Sequence, residues 1–361
     1  MVASEERGVD ARRLESREQA GKAGAPPSFE TRGFAALLRM RAVGIFVAAL
    51  LAVLAGYSPA PAQTFPTGPV KIIVSVGPGS SPDVLARILS DHLTRLWSQQ
   101  VIVENRPGAA GAIAIRATAS SPADGHTLYM SLATNYIALP ELQQHVEFDV
   151  ARDFVPIGYV GGHPMVIAAR DDLNVKTLPE FIALAKQRKG ELNVSAGNRG
   201  SILHLTGEWL RAATGIDVTL LHYPAASRAI TDILGGRVHA MIDAITSMRG
   251  VVDSGKLVPL AVATKARDPI HPNLPTFAEV IPGFEAIGWL ALVAPPGTPE
   301  PVANKISADL RGVLANADLK KRFEDLGTTI RPTTPEELRS FVREQQQIWR
   351  PVIAETAKTM R

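Results

Sequence analysis

The amino-acid sequence predicts an α/β fold built from two lobes. From Val70 onward, short runs rich in β-branched residues alternate with stretches whose apolar residues recur at helical spacing. Such alternation is typical of parallel βαβ units. It extends over about 300 residues, which is more than one sheet needs. No repeat of 20–50 residues is visible, so we expect two lobes rather than a repeat array.

The predicted elements follow in chain order. We expect strands at Val70–Val76, Val101–Val103, Thr127–Leu132, Pro156–Val160, Met165–Ala169, Leu192–Ser195, Val218–His222, Ala240–Ala244 and Val258–Ala263. We expect helices at Pro82–Trp97, Gly111–Ala119, Leu178–Arg188, Ile202–Thr214 and Arg228–Leu234. Two further helices, Pro301–Ala315 and Glu336–Ala357, flank an extended Thr328–Pro332. The last helix is expected to pack back onto the first lobe.

A secretory signal precedes these elements. Residues 43–55 carry no charge, Arg39 and Arg41 stand before them, and Ala60-Pro61-Ala62 follows. A basic flank, a short apolar core and a small-residue site are the parts of a signal peptide. The apolar run spans roughly 20 Å as a helix, too short for a bilayer core of about 30 Å. We therefore expect a signal peptide at 40–62, cleaved near Ala62, and export to the periplasm; an uncleaved anchor is the alternative.

Residues 1–39 are largely polar and show no sustained hydrophobic periodicity. We expect translation to begin at Met40 and this stretch to be a disordered, non-native extension. An unusually long basic region of the signal peptide is the alternative.

Charge and cysteine content exclude several classes of function. From residue 63 onward the chain carries 30 basic and 29 acidic residues, which offers no electrostatic footprint for nucleic acid or a membrane surface. There is no cysteine, so disulfides, thiolate metal sites, cysteine catalysis and a lipid anchor on a terminal cysteine are excluded. No HExxH or GxSxG motif occurs. These observations favour a binding protein over an enzyme, with no cofactor or metal.

Two loops between a strand and a helix are the main candidates for a ligand site. The first runs from Gly77 to Asp83, where Ser81 is expected to cap the next helix and Pro82 to occupy its first position. The second runs from Ser195 to Ser201, where Ser201 is the expected cap and Arg199 offers a fixed positive charge. A plain capped helix start and a solvated arginine are the alternatives.

Weaker candidates lie at other positions near strand ends. Thr134 and Asn135 follow one predicted strand, Tyr223 follows another, and Asp243 interrupts an apolar run. Asp243 would fix a ligand amine or hydroxyl, cap the next helix or support the site from behind. His204 lies one turn into a helix, where a structural hydrogen bond is the alternative to ligand contact.

Several short motifs follow one another along the chain. The most specific are Val103–Gly111 (VENRPGAAG) and Pro122–Leu128 (PADGHTL). Supporting motifs are Asp149–Phe154, Gly200–Leu205, Asp232–Val238, Leu274–Glu279 and Ala294–Pro299. In their order and spacing these motifs resemble the Bug-type extracytoplasmic solute receptors, the substrate-binding component of tripartite tricarboxylate transporters. The resemblance extends from about Phe65 to Met360.

The resemblance implies a type II periplasmic-binding-protein clamshell, with residues 65–165 plus 285–361 as lobe 1 and 166–284 as lobe 2. A small carboxylate would bind in the cleft and be delivered to integral-membrane transporter subunits. A monomer is expected. Presentation of the closed form to a membrane histidine kinase is the alternative role. The expected ligand-binding residues are Gly77, Pro78, Gly79, Ser80, Ser81, Thr134, Asn135, Asn198, Arg199, Gly200, Ser201, His204, Tyr223 and Asp243.

Both loops depart from the family pattern. The first usually reads PPGGSxD, whereas this chain has Gly77 in place of a Pro or Ala, Ser80 in place of a Gly, and Pro82 in place of a residue with an N–H. The second usually reads SxGxGS, whereas Asn198 stands at a glycine position and Arg199 at the variable one. We therefore expect a carboxylate whose second group is read by Arg199 or Asn198. Mono-, di- and tricarboxylates, acidic amino acids and aromatic acids all stay open.

Overall fold

The computed structural model describes residues 65–142, 147–267 and 271–359. The predicted signal peptide, its cleavage site and the stretch before Met40 lie outside these residues. Among the helices described, none is long and apolar enough to cross a membrane. The described residues all belong to one unit, Thr64–Arg361.

The strands and helices alternate largely as the sequence predicts. The strands are β1 (Val70–Val74), β2 (Val101–Asn105), β3 (Thr127–Leu132), β4 (Val155–Arg170), β5 (Asn193–Ser195), β6 (Thr219–Leu221), β7 (Ala240–Ala244), β8 (Leu257–Val262) and β9 (Ile287–Ala294). The α-helices are α1 (Ser81–Trp97), α2 (Ala112–Ala119), α3 (Ala133–Ile137), α4 (Leu139–Leu142), α5 (Val150–Asp153), α6 (Leu178–Gln187), α7 (Ile202–Thr214), α8 (Ala226–Leu234), α9 (Ile245–Asp253), α10 (Glu300–Leu314), α11 (Ala317–Asp325) and α12 (Pro335–Thr359).

The strands form one mixed sheet in the order β2-β1-β3-β9-β4-β7-β5-β6, with β8 also paired to β4. Strand β1 pairs in parallel with β2 and β3, and β5 pairs in parallel with β6 and β7. Strands β4 and β9 pair antiparallel with their neighbours. The expectation of parallel units therefore holds for two groups of three strands, which we call the first group (β1–β3) and the second group (β5–β7).

One strand, β4, passes through both parts of the sheet. The sequence predicts two separate strands here, Pro156–Val160 and Met165–Ala169, because two glycines and a proline lie between them. Instead the chain stays extended over 16 residues. It pairs with β9 through two register shifts and then with β7 and β8. The prediction of a break was wrong because β9 pairs with both glycines on one side and a backbone bridge joins Gly162 to Thr329 on the other.

Strand β9 was not predicted from the sequence. Residues 287–294 read IGWLALVA, and all but Ile287 are buried. A strand covered on both faces loses the alternation of apolar and polar residues, so its sequence is not distinguishable from a buried helix by periodicity. The missing strand joins β3 to β4 and is therefore central to the sheet.

Helix α12 packs against residues of both parts of the sheet. The buried Trp289 of β9 has its ring centroid 5.2 Å from that of Phe341 and 4.9 Å from that of Tyr136. Further along α12, the ring centroid of Trp349 lies 5.1 Å from that of Trp209 in α7. These aromatic contacts fix the C-terminal helix across the junction that β4 makes.

Candidate functional site

The carboxyl ends of the two parallel strand groups face each other across β4. Leu132 at the end of β3 pairs with Leu290 of β9, which pairs with Gly161 of β4. Ala244 at the end of β7 pairs with Met165 of β4. Strand β3 runs parallel to β4 and β7 runs antiparallel to it, so the two ends point toward each other. Along the direction of β4 the two ends are offset by four residue steps, about 13 Å of extended chain, and strands β9 and β4 lie between them. We call this space the interstrand gap.

Helix α9 begins at the gap and touches the opposite side. Thr246, its second residue, donates a 3.4 Å hydrogen bond to the carbonyl oxygen of Leu326 at the end of α11. Helix α11 packs with the first group through Phe323. A methyl group on Gly327 would lie 2.7 Å from Thr246 Cγ2, so the approach is close. The loops after β1 and β3, and those after β5, β6 and β7, leave their strand groups at the carboxyl ends that face this gap.

The first loop begins its helix one residue earlier than the sequence predicts. Ser80, not Ser81, is the N-cap, and Pro82 is the second helical residue. The Ser80 hydroxyl donates to the carbonyl oxygen of Gly77 at 2.8 Å and so closes the loop on itself. As a result no side chain accepts from the first-turn N–H groups of α1. The predicted role of Ser81 as cap is therefore wrong.

Asp83 holds the first loop in place. This buried carboxylate accepts from the Gly79 N–H at 2.8 Å and from two guanidinium nitrogens of Arg87 at 2.9 and 3.1 Å. The Asn105 amide, at the end of β2, donates to Asp83 at 2.8 Å and to the Val76 carbonyl at 3.0 Å. Burial alone would raise the pKa of Asp83, but these hydrogen bonds outweigh it and hold the pKa below its usual value.

Asn105 was not singled out from the sequence, although it lies in the Val103–Gly111 motif. Its role appears only when β1 and β2 are paired, since the amide then spans the loop after β1. The polar residue at a strand end, followed by Arg106-Pro107-Gly108, was the available signal.

At the end of β3, Asn135 is buried and bonded within the protein. Its carbonyl oxygen accepts from the Tyr129 hydroxyl and from the Leu132 N–H, both at 2.8 Å. Its amide donates to the Ala110 carbonyl at 3.3 Å. The predicted site residue therefore ties neighbouring loops together. The adjacent Thr134 is half-buried and carries no side-chain hydrogen bond to another described residue.

The second loop is capped as predicted and is held by two histidines. The Ser201 hydroxyl oxygen accepts from the His204 N–H at 3.3 Å. His204 Nδ1 accepts from the Gly200 N–H at 3.1 Å, and His222 Nδ1 lies 2.9 Å from the Gly197 carbonyl oxygen, to which it donates. Gly197 and Gly200 have φ of +57° and +77°, conformations that favour glycine.

His204 uses both ring nitrogens for contacts within the protein. Because Nδ1 accepts from the loop, its proton lies on Nε2, which is 3.5 Å from Glu208 Oε1. Arg211 donates to both oxygens of the same carboxylate at 3.1 Å. Burial alone would raise the pKa of Glu208, but His204 and Arg211 hold it below the usual value. The His204 ring therefore links the second loop to its helix.

Asn198 and Arg199 project from the second loop and are exposed. Neither side chain makes a hydrogen bond or ion pair with the residues described here. The Asp83–Arg87 pair of the first loop is internally neutralised. Arg199 is thus a cation at the gap with no acidic partner among the described residues.

Tyr223 lies at the carboxyl end of β6, but its hydroxyl is engaged. It donates to Asp232 Oδ2 at 2.6 Å, and Arg237 donates to the same oxygen at 3.1 Å. Burial and the Asp232 carboxylate raise the pKa of Tyr223 to about 12. With Arg228, these residues line a cavity of about 520 Å³ beside β6.

Asp243 is the fourth residue of β7, next to the start of α9. Its carboxylate accepts from the N–H of Ala244 at 2.8 Å and from the Ser247 hydroxyl. It does not cap α9, whose N-cap is Ala244 with no side-chain acceptor. Burial disfavours the charged form and raises the pKa of Asp243 to about 6.

Several helices that follow strands at the gap begin without a side-chain cap. Asp149, Thr177, Ser201 and Asn316 cap α5, α6, α7 and α11. No side chain caps α1, α8 or α9, which follow β1, β6 and β7. The first-turn N–H groups of a helix carry partial positive charge and suit an anion. The gap therefore combines uncapped helix ends with the unpaired Arg199.

Replacing Asp243 with asparagine should stabilise the unliganded protein at pH 7.5. A pKa raised to about 6 means that the folded state binds the proton more tightly than the unfolded chain. The favourable contribution of Asp243 is therefore present below about pH 4 and is lost as the pH rises through 6. We expect Asp243→Asn to raise the free energy of unfolding at pH 7.5 by on the order of 2 kcal/mol. Denaturant unfolding between pH 4 and 7.5 checks this; a difference that does not grow with pH would contradict it.

Other parts of the described chain offer no competing metal site. No group of three or more metal-ligating side chains comes together among the described residues. A groove of about 330 Å³ lies beside α12, lined by Tyr136, Phe154, Leu338 and Arg343 among others. Its three arginines, Arg152, Arg339 and Arg343, are each paired with Asp153 or Glu336.

Comparison with known proteins identifies the family. A family model described as the tripartite tricarboxylate transporter family receptor matches residues 85–357, which is most of the chain. The chain belongs to this receptor family. It is also 34% identical over 322 residues to protein BugT of Bordetella pertussis, covering 88% of this chain and 97% of BugT.

Solved structures of receptors share the fold. The R. palustris protein Rpa4515, solved with adipate, has 28% identity and a TM-score of 0.74, covering 81% of this chain and 98% of that one. MatC from Rhodopseudomonas palustris, solved with bound malate, has 29% identity and a TM-score of 0.71, covering 80% and 100%. The predicted family and the α/β periplasmic-binding-protein class are therefore confirmed. Members of the tripartite tricarboxylate receptor family are periplasmic solute-binding receptors rather than enzymes, as the sequence indicates.

Proposed function

We propose that this protein captures a small carboxylate in the interstrand gap and delivers it to a tripartite tricarboxylate-type membrane transporter. The observation that carries the proposal is the convergence of uncapped helix ends and the unpaired Arg199 on that gap. An anion there meets backbone N–H groups from one side and a guanidinium from the other. The adipate and malate found with two similar receptors are small dicarboxylates and support the same ligand class.

The two strand groups are the cores of the two proposed lobes. Residues 65–165 plus 285–361 form lobe 1 and residues 166–284 form lobe 2, joined at β4, β9 and the turn after α11. The change of strand partners along β4, from β9 to β7 and β8, supports this division. Closure of the lobes on a ligand would create the surface that the transporter subunits recognise.

We divide the fourteen predicted site residues into those that contact the ligand and those that shape the site. We assign direct ligand contact to the loop Gly77–Ser81, to Thr134, to the loop Asn198–Ser201 and to Asp243. Asn135, His204 and Tyr223 shape the site, because their side chains are engaged by Tyr129, Gly200 and Asp232. The protein acts as an exported monomer whose signal peptide is cleaved near Ala62.

Arg199 should contribute the charge that recognises one carboxylate of the ligand. Arg199→Ala is expected to weaken binding of succinate, malate or adipate about 10- to 100-fold, since a hydrogen bond to a charged group contributes about 1.5–3 kcal/mol. Arg188→Ala, an exposed arginine at the end of α6, is the matched control and should leave affinity unchanged. Titration calorimetry measures both. Equal affinity of Arg199→Ala and the natural protein would contradict this role.

Delivery to a transporter is tested separately by uptake. A strain lacking the gene should lose uptake of the acid that the purified protein binds, and recover it when the natural protein is restored. Arg199→Ala should restore uptake only at a correspondingly higher concentration of the acid. Unchanged uptake in the deletion strain, together with tight binding in solution, would reject the transport role and favour sensing.

A further inference from the structure

We propose that Asp243 makes the receptor select carboxylates that carry a hydroxyl or ammonium group on the carbon beside the carboxylate. The proposal rests on the proposed function, because it assumes that a carboxylate is held by the second loop. It narrows the ligand class to 2-hydroxy and 2-amino acids. Asp243 would accept a hydrogen bond from the substituent while the second loop binds the carboxylate.

The pairing of the second strand group sets the distance. Strands β5 and β7 are neighbours, with Ser195 opposite Met241. The second loop continues from Ser195, and Asp243 stands two residues beyond Met241. Neighbouring strands lie about 4.8 Å apart. Gly197 and Asp243 each lie two residues beyond this pair, so the second loop and Asp243 leave neighbouring strands at the same edge of the sheet, where one small ligand can contact both.

Asp243 lies where β7 reaches the gap. Three residues later, Thr246 contacts Leu326 on the opposite side, so this junction faces the other lobe. Asp243 is half-buried as a residue, and burial of its carboxyl group raises the pKa. At pH 7.5 a carboxyl group with a pKa of about 6 is mostly ionised and acts as an acceptor.

No cation in the described chain balances Asp243. Its partners are the N–H of Ala244 and the hydroxyl of Ser247, both neutral donors. An ionised carboxylate has about four acceptor positions, so it retains capacity for a further donor. By contrast, the carboxylates of Asp83 and Glu208 are each paired with an arginine. Asp243 is therefore the acidic group at the gap that a ligand donor would satisfy.

Discrimination between ligands follows from the interaction of the Asp243 carboxylate with the substituent on the ligand. A ligand that offers only carboxylate and methylene groups brings like charge near Asp243 and leaves its acceptor unpaired, which costs binding free energy. A hydroxyl donates a hydrogen bond, and an ammonium adds opposite charge. Sites built to bond a substrate donor reject the analogue that lacks it.

Matched ligand pairs test the proposal by titration calorimetry at pH 7.5. The natural protein should bind L-malate and L-aspartate at least tenfold more tightly than succinate, or L-lactate more tightly than propionate. Asp243→Ala should reduce each preference to less than about threefold. Asp243→Asn should keep the preference for malate, because the amide oxygen still accepts, and lose the preference for aspartate. Asp253→Ala, an exposed aspartate at the end of α9, should behave as the natural protein.

The outcomes separate this inference from the proposed function. If the natural protein binds succinate as tightly as malate and aspartate, and propionate as tightly as lactate, the selection by Asp243 is overturned while the carboxylate receptor stands. A preference that survives in Asp243→Ala would overturn it as well. If none of these acids nor adipate binds, the proposed function falls and the inference with it.

Discussion

Replacing Asp83 with alanine is expected to lower the free energy of unfolding by about 3 kcal/mol and to weaken carboxylate binding at least tenfold. Asp83 is 2% exposed, and its carboxylate accepts hydrogen bonds from Gly79, Arg87 and Asn105. Without it, the Asn105 amide and the Gly79 N–H lose their acceptor, and the first loop is no longer fixed on α1. Denaturant unfolding and titration calorimetry with malate or adipate measure the two effects.

The matched control for this change is Asp91→Ala on the same helix. Asp91 is exposed, and its carboxylate makes no hydrogen bond or ion pair with the described residues; its backbone carbonyl accepts from Arg95 Nε. We expect a change within about 0.5 kcal/mol for this variant and unchanged ligand affinity. Equal free energies of unfolding for Asp83→Ala and Asp91→Ala would show that the hydrogen bonds of Asp83 do not hold the first loop in place.

Gly197→Ala is expected to weaken ligand binding at least tenfold and to destabilise the fold by about 1–3 kcal/mol. Gly197 has a φ of +57°, and an added Cβ would lie 2.7 Å from Leu203 Cδ1 and 3.0 Å from Leu203 Cβ. The loop would have to move, and its carbonyl would leave the hydrogen bond with His222. The N–H groups and Arg199 would then no longer be aimed at the gap.

Gly250→Ala provides the comparison for Gly197→Ala. Gly250 lies within α9, where an added Cβ meets nothing within 4 Å. An alanine there should be neutral or stabilise by up to about 1 kcal/mol, because it raises helix propensity. If Gly197→Ala binds ligand as tightly as Gly250→Ala, the conformation of the second loop is not needed for binding.

Local patterns predicted most elements, because helix spacing and strand runs depend on near neighbours. Helix α7 and strands β3 and β7 begin and end at the predicted residues. Strand β9 and the continuity of β4 were missed, because both depend on partners far along the chain. Their residues are buried by strands distant in sequence, so they show no local alternation of apolar and polar residues that would mark a strand.

The candidate site was only partly predictable for the same reason. The two loops were located by turn residues and capping signals, and Ser201 caps as expected. The N-cap of α1 was predicted one residue too late. Ser80 is the N-cap, and its hydroxyl donates to the carbonyl oxygen of Gly77. The role of Asn105 requires the pairing of β1 with β2, which no local signal specifies.

The most direct test of the central claim is a crystal structure of the protein with the acid that it binds most tightly in titration. We predict the carboxylate in the interstrand gap, within hydrogen-bond distance of both the Gly77–Ser81 and Asn198–Ser201 loops. Arg199 or Asn198 should contact its second polar group. A carboxylate bound in the groove beside α12, or in contact with neither loop, would contradict the account.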